Sequence, residues 1–207
     1  DLGKAVIAMT GDTNPGWGEE YHRWYDQEHL VERMAVKGFL GARRYVNIKG
    51  QGPSELTLYE LESTEVLEKP EYKRLFNPPS DWSQRISQHI KLQRGVFKNT
   101  FSLQGPKQTN GTILSVVWGN VEDGWDDYFN KWYNEEHIQE RIEVGYLSAR
   151  RFEAIVGDWK YLAVYELPDE KIIESPAYKN IMANPSELTR KLQGHMTLRH
   201  IFYRQEF

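Results

Sequence analysis

The sequence says nearly the same thing twice. Trp24-Tyr25-Asp26-Gln27-Glu28-His29, with its continuation to Arg33, is answered by Trp132-Tyr133-Asn134-Glu135-Glu136-His137 and its continuation to Arg141. Gly38-Phe39-Leu40-Gly41-Ala42-Arg43-Arg44-Tyr45 is answered by Gly145-Tyr146-Leu147-Ser148-Ala149-Arg150-Arg151-Phe152. Further pairs are Leu58-Tyr59-Glu60-Leu61 with Val164-Tyr165-Glu166-Leu167, Pro70-Glu71-Tyr72-Lys73 with Pro176-Ala177-Tyr178-Lys179, and Asn77-Pro78 with Asn184-Pro185. Order and spacing hold along each half, so the chain is a duplicated unit, with repeats at 1–105 and 106–207. A unit of about 100 residues leaves much of its surface uncovered, and packing one copy on the other enlarges the core. What the copies share is scaffold or common chemistry; what they do not share marks specialisation.

Composition narrows the function classes. The 26 basic and 30 acidic side chains leave a net charge of −4, and the basic ones are scattered, unlike the stripe of a nucleic-acid binder. No apolar run approaches the roughly 18 residues of a membrane span, and the first residues carry no signal-type apolar core. A cytoplasmic protein without membrane partners is therefore expected. The absence of cysteine removes disulfides, thiolate nucleophiles and Cys-based metal sites. Seven Trp and twelve Tyr either line something or fill the cores of small domains.

Each half reads as strand, helix, strand, strand, helix, strand. Ala5 to Thr10 and Thr112 to Trp118 are short apolar runs closed by turn residues. Helices are expected from about Trp17 to Val36 and Trp125 to Val144, where Tyr21, Trp24, Tyr25, Glu28 and Glu32 share a face, as do Phe129, Trp132, Tyr133, Glu136 and Glu140. Strands follow at Phe39 to Ile48 and Tyr146 to Val156, then at Leu56 to Leu61 and Tyr161 to Leu167. A second helix, interrupted by Pro70 or Pro176, precedes a last strand at His89 to Phe101 and His195 to Tyr203; the first copy adds a turn or helix near Ser80 to Ser87. This order is the ferredoxin-like split βαβ unit, α+β in class. Because the second face of each sheet is also apolar, two βαββαβ repeats are expected to pack sheet to sheet with their helices outside.

The Trp-Tyr-x-x-Glu-His motif, followed by Gly-(Phe/Tyr)-Leu-x-Ala-Arg-Arg-(Tyr/Phe), resembles the dimeric α+β barrel superfamily, and within it the EthD-like and related small-barrel proteins. Those families often place a Pro two positions after the His, where this chain has Val31 and Gln139. The resemblance covers both halves and implies a tandem barrel in one chain, either a monomeric pseudo-dimer or a homo-oligomer of it. The superfamily includes cofactor-free monooxygenases acting on polyketide quinol precursors, muconolactone isomerases, polyketide cyclases, hydroxynitrile lyases and haem-binding relatives, and fold alone does not choose among them. It further implies a pocket between the first helix and the sheet, with the helix His near it and a small molecule as partner.

The residues suited to chemistry are few. His29 and His137 are candidate general bases, because histidine titrates near neutrality without tuning, with Glu28 and Glu136 as orienting groups and Tyr25 and Tyr133 as hydrogen-bond donors to a substrate oxygen. The alternative is that these groups brace the helix against the sheet. Trp24 and Trp132 are candidate substrate contacts. In the strand pairs Arg43-Arg44 and Arg150-Arg151 one guanidinium must face opposite to the other; Arg43 and Arg150 are candidates to hold a carboxylate or stabilise an enolate, against a structural ion pair with Glu60 or Glu166. Symmetry breaks on the last strand, where Arg94 aligns with His200, and both are candidate substrate contacts. His22, Trp82, Trp118, Trp125 and Trp159 also lack equal partners. No helical His-x-x-x-His pair suggests a metal, no glycine-rich phosphate loop suggests a nucleotide, and haem on His29, His137 or His200 remains the alternative to a cofactor-free site. The expected activity is cofactor-independent proton transfer of lyase, isomerase or cyclase type on a small, apolar, aromatic or polyketide-like molecule; the alternatives are a cofactor-free monooxygenase and a non-catalytic binding or stress-response module.

Overall fold

In the computed structural model, which describes residues 2–107 and 109–206, the apolar runs of both repeats are strands. The first repeat runs β1 (Ala5–Thr13), α1 (Gly18–Trp24), a wide turn (Tyr25–His29), α2 (Leu30–Met34), β2 (Phe39–Lys49), β3 (Glu55–Leu61), α3 (Pro70–Lys73), α4 (Asp81–Ser87) and β4 (Ile90–Gln104). The second runs β5 (Ile113–Val121), α5 (Asp126–Trp132), a wide turn (Tyr133–His137), α6 (Ile138–Glu143), β6 (Ser148–Val156), β7 (Tyr161–Leu167), α7 (Pro176–Ala183), α8 (Glu187–Gln193) and β8 (Met196–Gln205). The change of repeat at 105/106 falls in the connection between β4 and β5. The helix expected near Ser80 in the first copy alone is present in both. Its cap is a serine each time: Ser80 Oγ accepts from Ser83 N at 3.0 Å and Ser186 Oγ from Thr189 N at 3.1 Å.

The strands form one closed antiparallel barrel in the order β1-β3-β2-β8-β5-β7-β6-β4, with β4 returning to β1. Each repeat contributes a four-stranded sheet, and the sheets also join along their edges, β2 to β8 and β4 to β6. Closure leaves no strand edge unpaired, which an isolated repeat could not achieve. Alternation along each strand sends one set of side chains inward and the other out to the helices. The inward set is a core drawn from both halves, including Val6, Leu58, Phe97, Val116, Phe152, Leu162 and Tyr203. The outward sets make two further cores under the helices, one per repeat. No helix among the described residues is long and apolar enough to cross a membrane.

Two repeated details are explained by contacts. Trp17 and Trp125 begin the first helices and stack on His89 and His195, with ring centroids 3.5 and 3.8 Å apart, so Trp125 does have an equal partner, contrary to the alignment. Gly38 and Gly145 follow α2 and α6 with φ of 108° and 111°, and a Cβ there would lie 2.4 Å from Val66 Cγ2 or 2.8 Å from Ile172 Cδ1. Only glycine suits both the backbone and the space.

At one barrel end Arg150 pairs with Glu60 of the other repeat through both nitrogens, Nη1 to Oε2 at 3.1 Å and Nη2 to Oε1, while Gly3 N donates to the same carboxylate at 2.9 Å. The partner is of the expected type, and it comes from across the barrel. We expect Arg150→Met to cost about 3 kcal/mol in urea unfolding, because Glu60 is left charged and poorly solvated. Adding Glu60→Leu should restore most of that loss.

Candidate functional site

The motif Trp-Tyr-x-x-Glu-His does something that a regular helix does not. At Tyr25–His29 and Tyr133–His137 the helix widens by one residue, with Leu30 N bonding to Tyr25 O and Ile138 N to Tyr133 O. Such wide turns inside helices collect at functional sites. The widening brings both rings of the Trp-Tyr pair onto the histidine. His29 lies 4.5 Å from Trp24 and 4.7 Å from Tyr25 between ring centroids, and His137 lies 4.4 Å from Trp132 and 4.9 Å from Tyr133.

From this shared frame the halves diverge. In the second, the space between helix and sheet is a cavity of about 190 Å³, lined by His137, Trp132, Tyr133 and Tyr165, with Ser115 and His200 on the sheet side. Glu140, Arg141 and Met182 also line it; Met182 is half exposed, and Arg141 joins the other two, donating to Glu140 at 3.2 Å and to Met182 Sδ at 3.6 Å. In the first half the same positions are filled. Ile7 stands for Ser115, and Arg94, in place of His200, donates to Tyr72 at 2.9 Å. Arg33 lies over the Phe76 ring at 5.4 Å where Arg141 meets Met182. The outcome is that His29 is 5 % exposed and its Nε2 has no hydrogen-bond partner.

The tyrosines follow the same division. Tyr25 and Tyr59 satisfy each other, hydroxyl to hydroxyl at 2.6 Å. Their counterparts Tyr133 and Tyr165 are 2 % and 1 % exposed, and their hydroxyls interact with each other without making a hydrogen bond of ordinary length. Burial pushes both phenols up, so they stay protonated donors through the neutral range. Opposite them, Ser115 Oγ and His200 Nε2 are 2.6 Å apart. Burial, helped by the nearby Arg141, lowers His200 to about 4, and burial with the charges of Arg141, His200 and Arg151 holds His137 well below its usual value. Neither imidazole therefore titrates near neutrality, which corrects the expectation held for His137; both are neutral there.

The outward arginine of each pair sits beneath these rings. Arg44 and Arg151 each lie 4.4 Å from the centroid of Tyr25 or Tyr133. Arg44 is paired with Asp26 at 2.5 Å, but Arg151 is held by Asn134 Oδ1 at 3.0 Å and Asn130 Oδ1 at 2.8 Å. Among the described residues no carboxylate comes within ion-pair distance of Arg151, and its Nε has no partner. The second half thus keeps an uncompensated positive charge behind Tyr133, close to the cavity.

Several expected site residues are placed elsewhere. Glu28 is a brace, accepting from Trp24 Nε1 at 3.0 Å, Ser80 Oγ at 2.7 Å and Ser83 Oγ at 2.8 Å; Glu136 accepts from Ser186 Oγ. Both carboxylates tie the first helix to the cap of α4 or α8 and do not orient the histidine. Trp24 is sealed in the first half, whereas Trp132 lines the cavity with its Nε1 bonded to Thr189 at 3.0 Å. Arg43 and Arg150 face the barrel end, beside a separate hollow of about 750 Å³, and do not meet either histidine. The residues that the sequence reading missed are Ser115, Tyr165, Arg141 and Arg151. Ser115 opposite Ile7 and Asn134 opposite Asp26 are differences that the repeat alignment displays, and Tyr165 is a repeated residue within a quoted motif. Among the described residues no group of three or more His, Asp or Glu side chains is placed to hold a metal ion.

An eight-stranded antiparallel barrel made of two βαββαβ repeats, with its helices outside and a cavity under one of them, has counterparts of known structure. The fold is the dimeric α+β barrel, closed within one chain. An anthrone oxidase-like protein superposes with a TM-score of 0.63 at 10 % identity, covering 99 % of this chain and 92 % of its own. A mutant chlorite dismutase of Candidatus Nitrospira defluvii gives 0.63 at 9 % identity over 100 % and 93 %. A putative monooxygenase of Lactobacillus acidophilus NCFM gives 0.56 at 10 % over 97 % and 94 %. No protein-family model matches the chain, and no curated protein sequence does. At such identities this tandem α+β barrel shares architecture with these proteins, and its chemistry has to be argued from its own side chains.

Burial of His29 has a measurable consequence for stability. Its folded value is about 2 against about 6.5 when unfolded. The unfolded chain takes up the proton first, so this contribution is complete above pH 6.5 and is lost progressively as pH falls toward 2. Between pH 6.5 and 5 it amounts to about 2 kcal/mol. Urea unfolding across this range should show a shallower pH dependence for His29→Phe than for the wild type; equal slopes would contradict a neutral, buried His29.

Proposed function

We propose that this protein is a cofactor-independent enzyme that moves a proton on a small oxygen-bearing molecule in the second-half cavity. One observation carries the reading: neutral imidazoles share a cavity with two buried phenol donors that meet only each other, and more loosely than Tyr25 and Tyr59 do at 2.6 Å. Buried hydroxyls without a close partner are uncommon and call for an explanation. A ligand oxygen supplies the missing acceptor, and one that gains negative charge in the reaction is bound more tightly at that moment than before it. Arg151 behind Tyr133 adds positive charge without a paired carboxylate, and Arg141 stands in the wall paired with Glu140.

In this mechanism His137 or His200 takes a proton from carbon or oxygen of the bound molecule, His200 either directly or through Ser115. Each imidazole disfavours a charge on the other, so the site holds one transferred proton at a time. The low affinity of His200 for a proton in the empty site rises when an anion forms beside it, which makes proton uptake and anion formation one event. Tyr133 and Tyr165 hold the oxygen of the resulting enolate or phenolate. Return of the proton to another position, loss of a leaving group, or ring closure gives isomerase, lyase or cyclase outcomes. The names of two structural neighbours favour a second reading, in which molecular oxygen meets the same electron-rich anion.

The dimensions weigh against haem. About 190 Å³ is below the ~300–1,000 Å³ of ordinary ligand pockets, and the larger hollow at the barrel end is lined by no His or Met. No step here depends on such a group.

The test uses a carbon acid, cyclohexanone, in D₂O, with deuterium incorporation followed by NMR. We expect wild-type protein to accelerate exchange, His137→Gln or His200→Gln to lower the rate by about 10²–10⁴-fold, and His29→Gln to leave it unchanged while the fold persists. The rate constant at low substrate should be level through neutral pH and fall only near pH 4, as His200 protonates, with no inflection near 6.5. Asn134→Asp, which gives Arg151 a carboxylate, should slow exchange by about tenfold without loss of stability. Exchange that is indifferent to both histidine substitutions would end the proton-transfer reading; saturable binding without exchange would indicate a binding module.

A further inference from the structure

We propose that the second-half cavity selects molecules of a single ring carrying one hydrogen-bond-accepting oxygen, such as a monocyclic phenol, enol or ring ketone, and excludes fused-ring compounds. This inference rests on the cavity being the ligand site, and it narrows the aromatic or polyketide-like class to its smallest members.

Volume is the first ground. A closed apolar cavity of about 150 Å³ is known to hold one benzene. The present cavity measures about 190 Å³, and the excess of about 40 Å³ is little more than one water's share of liquid volume, about 30 Å³. One six-membered ring with a substituent fills it. A second fused ring adds four carbon atoms, which the close-packed inner walls do not accept without displacement and which would have to lie in the mouth beside the half-exposed Met182.

The walls supply the second ground. Trp132 and Tyr146 offer flat apolar faces, and Met196 and Leu198 close the sheet side. Such surfaces suit the faces and edges of a ring. The buried Tyr133 and Tyr165 donate and the Ser115–His200 pair can give or take a proton, while the more exposed Glu140, Arg141 and Gln193 line the rest of the wall. A ligand with one oxygen between the tyrosines and its remaining surface apolar satisfies both requirements. A ligand with many polar groups would leave them without partners against Leu198, Val117 and Met196.

The first half shows how the dimension is controlled. There the same frame leaves His29 only 5 % exposed, with Arg94 reaching Tyr72 and Arg33 lying on Phe76. Met182 takes the place of Phe76, and with Met196 it bounds the remaining space in the second half. These two flexible side chains set the upper size limit.

Isothermal titration calorimetry with phenol, cyclohexanone, 1-naphthol and anthrone tests this on the full chain. The expected result is saturable binding of phenol and cyclohexanone, weakened at least fivefold by Tyr133→Phe or Tyr165→Phe, with 1-naphthol at least tenfold weaker than phenol and no binding of anthrone. Met182→Ala combined with Met196→Ala should bring 1-naphthol to within threefold of phenol. Wild-type affinity for 1-naphthol or anthrone equal to that for phenol, and dependent on the tyrosines, overturns the size limit and leaves the proton-transfer reading standing. Tyrosine-dependent binding of single rings without deuterium exchange supports the size limit and removes the proton-transfer reading. Absence of binding by every probe, or binding indifferent to both tyrosines, overturns the proposal together with the cavity as its site.

Discussion

Backbone hydrogen bonding across two seams, β2 to β8 and β4 to β6, is the constraint on which everything else in this protein depends. A four-stranded sheet with helices on one face has two unpaired edges and one bare apolar face. Joining two such sheets edge to edge removes all three exposures together, since the bare faces become a barrel interior that excludes water. Glu60 and Arg150 sit where this closure brings opposite repeats together, and their ion pair ties the repeats at a point where the interior opens to solvent. The helices are then held against a rigid wall, so a space between helix and sheet keeps its shape whether or not it is filled.

Duplication allows the copies to part ways without loss of the fold. Both retain the wide helical turn, the Trp-Tyr-His ring cluster, the cation beneath the tyrosine and the carboxylate that ties the helix to its neighbour. The first copy spends its remaining side chains on packing: two tyrosines satisfy each other, Arg44 has Asp26, and Arg94 and Phe76 occupy the space beside the histidine. In the second, the same places hold Tyr133 and Tyr165 in a looser mutual contact, Arg151 without a carboxylate, and a cavity. Unsatisfied buried groups lower stability, and a closed barrel with one fully packed half can carry that cost in the other.

Each neutral imidazole in the second half owes its state to its neighbours. Burial and positive charge act in the same direction, against protonation, with Arg141 acting on both imidazoles and Arg151 on His137, and Arg151, which has no carboxylate, also favours an anion in the cavity. A site that repels a proton when empty and welcomes one together with a negative ligand couples chemistry to binding. The arrangement is electrostatic and pre-formed, which is the kind of contribution that costs no reorganisation as charge develops.

The duplication, the element order and the barrel were legible in the sequence, because period-2 and period-3.6 patterns and repeated motifs report local structure and burial directly. Of the cavity lining, His137, Tyr133 and Trp132 stand in the repeated motif and His200 at a position where the repeats differ, whereas Tyr165 is repeated but was not singled out. Two of the decisive differences, Ser115 against Ile7 and Asn134 against Asp26, are also written in the chain, but their meaning depends on which side chain each one faces. Tertiary structure alone decided that Glu28 and Glu136 turn away to brace a helix cap, that Arg43 and Arg150 point to the barrel end while Arg44 and Arg151 lie under the rings, and that burial takes the histidines out of the neutral titration range. The reason is physical: sequence period fixes the face on which a side chain emerges, whereas its partner, its solvation and the empty volume beside it are set by elements that meet only when the barrel closes.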